Sequence, residues 1–133
     1  MTIADSITNQ IFEERDSLIK LRRELHRTPE LAFEEWKTAD FITGYLKSQG
    51  IDVKTAIGVT GILGLLHGSK NGKTLMLRAD MDGLPIQEPA ARPYRSVIDN
   101  QSHACGHDFN MTLVLATARI LASRSWSRSW PSR

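Results

Sequence analysis

The chain has 133 residues, 41% hydrophobic and 24% charged, which is enough for one globular domain with a core. Its formal net charge is only +2, so the balance of charges predicts neither a nucleic-acid nor a membrane partner. A single cysteine excludes an internal disulfide and favours the reducing cytoplasm. The first ten residues lack the basic and apolar regions of a signal peptide, and no apolar run reaches the length of about 18 residues that spans a membrane.

The first part of the chain has the pattern of two amphipathic helices. Apolar residues recur at helical spacing over Ile3–His26, and Pro29 ends this helix. A second apolar stripe follows over Trp36–Leu46, and Gly50 is well suited to the position after a helix C-terminus.

The hydrophobic period then changes to that of strands. We predict strands at Ile51–Thr55, Ile62–His67 and Thr74–Ala79, the second of them buried, with a tight turn at Ser69–Gly72. A further helix is predicted around the apolar run Met111–Ala116. This order of elements predicts an α/β fold in which helices flank a central sheet of several strands.

The stretch with the clearest chemistry is Ser102–Asp108, which contains the only cysteine. Cys105 and His107 are separated by Gly106, which can adopt a positive φ and let both side chains face one point. Thiolate and imidazole together suit zinc and related transition metals. Asp108 is predicted to be the N-cap of the following helix.

The residues themselves leave two other interpretations of this stretch open. A lone cysteine is most often a small buried hydrophobic residue. Alternatively, Cys105 is a catalytic thiol with His103 or His107 as its base, although the sequence shows no oxyanion-hole signature. Two ligands do not complete a metal site, so the remaining ligands must come from elsewhere.

Two aspartates, Asp80 and Asp82, directly follow the third predicted strand. They are interpreted either as polar groups of a solvated turn or as carboxylates that orient a metal-bound imidazole. The other two histidines are not expected to be ligands: His26 suits the negative end of the first helix, and His67 follows a strand as a structural or edge residue.

The end of the chain repeats a Ser-Arg-Ser-Trp tetrad at 123–126 and 127–130. The repeat has neither a helical nor a strand period. We therefore predict a domain over residues 1–122 and an aberrant tail over residues 123–133.

Five motifs in order carry a resemblance to a known family: Leu25-His26, Pro29-Glu30-Leu31, Thr60-Gly61, Leu77–Pro85 and His103–Asp108. Over about residues 21–121 the chain resembles the N-terminal part of the catalytic domain of metal-dependent amidohydrolases. These are enzymes of the aminoacylase, hippurate hydrolase and auxin-conjugate hydrolase type, within a wider metallopeptidase family.

The resemblance implies hydrolysis of small-molecule N-acyl amino acids at a centre of two divalent metal ions, such as zinc or manganese. It identifies Cys105 and His107 as metal ligands and Asp82 as an aspartate beside the metal centre. It also implies a metal-activated water and a glutamate as general base. It does not fix the oligomeric state.

The sequence departs from the family pattern at three positions near the metal ligands. Phe109 and Asn110 stand where the family has glycine and histidine, and Ser102 replaces a residue that is often methionine. The family's catalytic glutamate, other metal ligands and lid domain have no counterpart in this sequence. We therefore expect a truncated, inactive fragment of an amidohydrolase or, alternatively, a non-catalytic partial domain that binds metal weakly.

Overall fold

A computed structural model describes residues 2–68 and 71–126 of the chain. It contains three helices, α1 (Ile3–Arg27), α2 (Trp36–Ser48) and α3 (His107–Trp126). Strands β1 (Asp52–Ile57) and β2 (Gly61–Leu65) lie between α2 and α3 in the chain. The predicted α/β class is confirmed, whereas the sheet has two strands in the described part instead of several.

Helix α1 follows its prediction, with one further residue at its C-terminal end. A capping box fixes its start: the Asp5 N–H donates to Thr2 Oγ1 at 3.1 Å, and the Thr2 N–H donates to Asp5 Oδ2 at 2.8 Å. The Thr2 N–H also holds the pKa of the Asp5 carboxyl below its ordinary value. Leu21 and Leu25 bury the face that meets the core.

Helix α2 is capped by a residue that lies outside it in sequence. The Glu30 carboxylate accepts hydrogen bonds from the N–H groups of Lys37 (3.2 Å) and Thr38 (2.8 Å). These are among the N–H groups that a helix start leaves without intrahelical partners. Ile42 and Leu46 then bury the apolar stripe of the helix.

The two strands form an antiparallel hairpin in which Asp52 is opposite Leu65, with an irregular register between Lys54 and Ile57. The prediction of strands here is confirmed, but the prediction that the second is buried is wrong. Leu63 and Leu65 are 47% and 45% exposed, because α2 is the only helix of the described residues that packs extensively against β2.

The prediction of a third strand over residues 74–79 is wrong, because these residues form no strand in the structure. Their apolar side chains are largely exposed, with Leu75 at 82% and Met76 at 77%. An extended segment becomes part of a sheet only when a neighbour pairs with its backbone groups, and none does among residues 2–68 and 71–126. The predicted turn at Ser69–Gly72 falls partly on residues 69 and 70, which lie outside the described residues.

The core lies between the three helices and the start of the hairpin. Helix α3 packs against α1 and α2, and α2 packs against both strands. The buried cluster consists of Leu21, Leu25, Ile42, Leu46, Ile51, Met111, Leu115 and Ala122. In the described part of the chain, no helix has the length and apolarity needed to cross a membrane.

Helix α3 continues into the first four residues of the predicted tail. Residues 127–133, which contain the second tetrad, lie outside the described residues. The predicted domain boundary after residue 122 stays a prediction.

Candidate metal centre

Backbone hydrogen bonds bring the two chemistry-bearing motifs side by side. Leu84 and Ser102 exchange two N–H to carbonyl hydrogen bonds of 2.8 and 3.0 Å, as in an antiparallel bridge. The Gly83 N–H donates to the Glu30 carbonyl at 2.7 Å. A Cβ at Gly83 would lie 2.8 Å from Cβ of Pro29, so only glycine allows this close approach. Asp82 is thereby placed next to the Cys105 segment.

Gly106 makes the turn that the spacing of Cys105 and His107 predicts. Its φ is +86°, which confirms the expected positive φ. The Gly106 carbonyl accepts the N–H groups of Phe109 and Asn110 at 3.1 and 3.2 Å, and so starts α3. The chain therefore turns at a glycine and enters a rigid helix immediately after Cys105.

The prediction that Asp108 is the N-cap of α3 is wrong. The helix begins at His107, so Asp108 lies within its first turn. Its carboxylate is fully buried and contacts Arg22 and His26 of α1 instead of the N–H groups of its own helix.

Asp82 holds the imidazole of His107 in one orientation. His107 Nδ1 lies 2.9 Å from the Asp82 carbonyl oxygen and 3.0 Å from Asp82 Oδ1. Both partners are acceptors, so Nδ1 carries the hydrogen and Nε2 keeps the lone pair that a metal requires. The Cys105 thiol faces the same carbonyl oxygen at 3.7 Å. All three predicted site residues are thus brought together.

The other aspartate of the motif has a different partner. Asp80 pairs with Arg78 at 2.6 Å, and both side chains are exposed. The pairing suits the solvated-turn interpretation for Asp80, whereas the contact with His107 suits the orienting interpretation for Asp82.

The donor set fits part of a metal site. Cys105 is exposed, and its thiolate and the His107 imidazole are the donor types that zinc prefers. Within residues 2–68 and 71–126, no group of three or more His, Cys, Asp or Glu side chains is arranged to hold a metal ion. The described residues therefore offer two donors and a carboxylate that orients one of them.

His103 is buried beside this pair, and neither of its ring nitrogens has a hydrogen-bond partner among the described residues. Burial lowers the pKa of His103 below its ordinary value, although nearby Asp108 acts in the opposite direction. With no hydrogen bond to Cys105, His103 is not placed as the base of a catalytic thiol.

A buried polar network next to the site could not be found from the sequence. His26 Nδ1 lies 2.7 Å from Asp108 Oδ2, and His26 Nε2 lies 3.0 Å from both oxygens of Glu88. Arg22 Nε is also 2.7 Å from Asp108 Oδ2. Glu88 and Asp108 are 62 and 82 positions from His26 in the chain, so no local sequence pattern relates them to it. His67, as predicted, is exposed, 3.7 Å from Asp52.

Burial pushes the pKa of the Glu88 carboxyl upward, but the Ser96 N–H, His26 and Arg92 outweigh it and hold that pKa below its ordinary value. Glu35 accepts the Thr60 hydroxyl at 2.6 Å. Glu30 caps α2. These three glutamates therefore have structural partners within the fold.

Comparisons with known proteins agree with these motifs. Residues 76–132 match the sequence profile of peptidase family M20/M25/M40. The hippurate hydrolase of Campylobacter jejuni is 41% identical over 118 residues, 89% of this chain and 31% of the relative. The N-acetyldiaminopimelate deacetylase of Halalkalibacterium halodurans is 46% identical over 109 residues, 80% of this chain and 29% of the relative.

A solved structure shows the same arrangement of elements. The Bacillus subtilis YXEP protein, described as a dinuclear metal-binding peptidase of the M20 family, superposes with a TM-score of 0.78 at 38% identity. The match covers 83% of this chain and 31% of that protein.

The chain therefore resembles peptidase family M20/M25/M40, whose profile it matches over residues 76–132. The chain spans about 30% of the length of the curated relatives that it matches. The family resemblance stated from the motifs is confirmed, and the family is one of hydrolases. The roles of Cys105, His107 and Asp82 stay predictions.

Proposed function

We propose that this chain carries part of the metal centre of a hydrolase that cleaves the amide bond of N-acyl amino acids. In this proposal Cys105 and His107 are metal ligands and Asp82 orients His107. The observation that carries it is the pair of contacts from His107 Nδ1 to the Asp82 carbonyl oxygen and Oδ1, at 2.9 and 3.0 Å. This carboxylate–histidine arrangement fixes the tautomer of a ligating imidazole.

The bound group is a divalent ion, zinc, manganese or a similar metal. When bound, such an ion lowers the pKa of a coordinated water to about 7 and polarises the amide carbonyl. The residues of this chain have two tasks at that site. Cys105 must lose its proton to become a ligand, which makes metal affinity rise with pH. Asp82 keeps the hydrogen of His107 on Nδ1.

The substrate class is supported by the names of two relatives, hippurate hydrolase and N-acetyldiaminopimelate deacetylase. The partner is then a small molecule rather than a nucleic acid or a membrane. A thiol ligand must stay reduced, so the cytoplasm is the proposed location.

We expect metal binding without turnover from the chain by itself. The described residues supply two donors, and the buried glutamates already have structural partners. Removing a general base alone typically costs about 10²–10⁴-fold in rate. Purified chain should therefore show no hydrolysis of hippurate that a chelator abolishes; a chelator-sensitive rate would contradict this expectation.

A chimera tests the role of the centre. This chain would replace the matching segment of the Campylobacter jejuni hippurate hydrolase, and hydrolysis of hippurate would be measured with and without chelator. We expect chelator-sensitive activity that Cys105→Ser and His107→Ala abolish and the control His67→Ala leaves unchanged. A folded, metal-loaded chimera that is inactive, or that is indifferent to Cys105→Ser, would contradict the proposal.

The alternative is a non-catalytic partial domain that binds metal weakly. The lack of a three-donor group within the described residues favours it. It predicts that the folded chimera is inactive or is unaffected by Cys105→Ser. It also predicts that the purified chain loses its metal on dilution.

A further inference from the structure

His26 connects the segments that surround the candidate metal centre. It lies near the end of α1 and is 98% buried, with a relative exposure of 2%. Nδ1 reaches Asp108, the residue directly after His107, and Nε2 reaches Glu88. Residues 88–108 form the segment that delivers Cys105 and His107 to the site, so His26 holds that segment at both of its ends.

The acceptors around His26 determine which of its ring nitrogens carry hydrogen. Both ring nitrogens face carboxylate oxygens, so both must carry hydrogen, and His26 is an imidazolium. The pKa of Glu88 is held below its ordinary value, which keeps this carboxylate ionised. Arg22 on Asp108 and Arg92 on Glu88 add positive charge beside the two carboxylates. Charge-assisted hydrogen bonds of this kind are about twice as strong as neutral ones.

The segment makes a second contact with the same end of α1. The Val97 N–H donates to the Arg27 carbonyl at 2.8 Å, and the Ser96 N–H donates to Glu88 at 2.8 Å. The last turn of α1 thus holds residues 88–108 at their start through Glu88, in the middle through Val97 and at their end through Asp108.

We propose that His26 is a positioning residue of the metal centre: as an imidazolium between Glu88 and Asp108, it sets where α3 begins and hence where His107 and Cys105 lie. The inference rests on the proposed function, since it assigns His26 to the same centre. The contacts of His107 Nδ1 with Asp82 need this placement, because hydrogen bonds weaken steeply with misalignment.

The test compares His26→Gln with His67→Gln, an exposed histidine of the same chain, as the matched control. Glutamine at position 26 can donate to one carboxylate but presents its carbonyl oxygen to the other. Folding of each full-length variant is checked by circular dichroism. Two readouts follow: the ¹⁵N NMR signals of His107 in the metal-free chain, which report its tautomer, and titration with Co²⁺, whose thiolate charge-transfer band reports ligation by Cys105.

In the wild-type chain and in His67→Gln, we expect the Nδ1–H tautomer of His107 alone. Folded His26→Gln should give a mixture of tautomers and bind Co²⁺ about 10–100-fold more weakly. A folded His26→Gln with the wild-type tautomer and unchanged Co²⁺ affinity would overturn the inference.

A second variant decides the case in which His26→Gln does not fold. Combining it with Glu88→Gln restores a donor–acceptor pair, because both oxygens of Glu88 lie 3.0 Å from His26 Nε2. The new amide at position 88 can donate to the glutamine carbonyl while its oxygen still accepts from the Ser96 N–H. This double variant should fold and recover the single His107 tautomer. If it stays unfolded, or folds with mixed tautomers, the inference is wrong.

The same measurements distinguish an error in the proposed metal ligands from an error in the proposed role of His26. A wild-type chain that binds no Co²⁺, or whose charge-transfer band survives in Cys105→Ser, contradicts the metal ligands. The His107 tautomer in the metal-free chain still decides the role of His26.

Discussion

At the scale of single residues, the local part of the site follows from the sequence and the distant part does not. Cys105, Gly106 and His107 are neighbours, so their spacing alone predicts a positive φ at Gly106 and a shared direction for the two donors. The contact between Asp108 and His26 joins residues 82 positions apart. No hydrophobic period or motif spacing relates such residues, which is why Asp108 was predicted to cap its own helix.

The Glu88 carboxylate should make stability depend on pH in the acid range. Its folded pKa lies below the ordinary value of 4.5, so its contribution is present above about pH 4.5 and is lost as the pH falls through the folded pKa. Glu88→Gln removes this dependence. At neutral pH the variant should unfold with a free energy lower by about 1–3 kcal/mol, because the Ser96 N–H and His26 lose a charged acceptor.

Urea denaturation at a series of pH values measures this effect, with the exposed Glu34→Gln as control. The difference between wild type and Glu88→Gln should shrink as the pH is lowered. A constant difference at every pH would show that the charge of Glu88 does not contribute.

Gly83 is the residue whose size decides how closely Asp82 approaches the metal-ligand segment. A Cβ there would lie 2.8 Å from Pro29 Cβ and 3.2 Å from the Ser102 carbonyl oxygen. Gly83→Ala should destabilise the chain by about 1–3 kcal/mol, as overpacking does. Gly72→Ala, where a Cβ meets nothing within 4 Å, should stay within about 0.5 kcal/mol of wild type. Thermal denaturation compares the two, and equal values would contradict the close packing.

At the scale of elements, the sequence predicts all three helices of the described residues but only two of the three expected strands correctly. The apolar stripes of α1 and α2 are local properties of the sequence, and each helix satisfies most of its own backbone groups. A strand depends on a neighbour. Residues 74–79 have the composition of a strand but no partner among the described residues, and they remain outside the sheet.

The N-terminal cap of α2 should make a measurable contribution to the stability of the chain. Glu30 accepts the N–H groups of Lys37 and Thr38, so Glu30→Ala should cost about 0.5–2 kcal/mol and reduce helical circular dichroism. Glu34→Ala is the matched control, since Glu34 is an exposed glutamate of the same connection. If both variants lose the same stability, the cap is not formed by Glu30.

At the scale of the whole molecule, the three helices form a core while one side of the hairpin and the segment after it stay apolar and exposed. Leu75 and Met76 are more than three-quarters exposed, and Leu63 and Leu65 nearly half. The composition and the α/β order of elements predict the class of the fold. They do not predict the number of strands, because burial of each strand depends on what packs beside it.

The central claim is that Cys105 and His107 bind a metal ion in a chain that spans about 30% of the length of its curated relatives. Native mass spectrometry of the purified chain after incubation with zinc tests it most directly, with Cys105→Ser as a nearly isosteric control. The account predicts near-stoichiometric zinc in the wild-type chain and its loss in Cys105→Ser. Absence of zinc from the wild type, or equal zinc in both proteins, would contradict it.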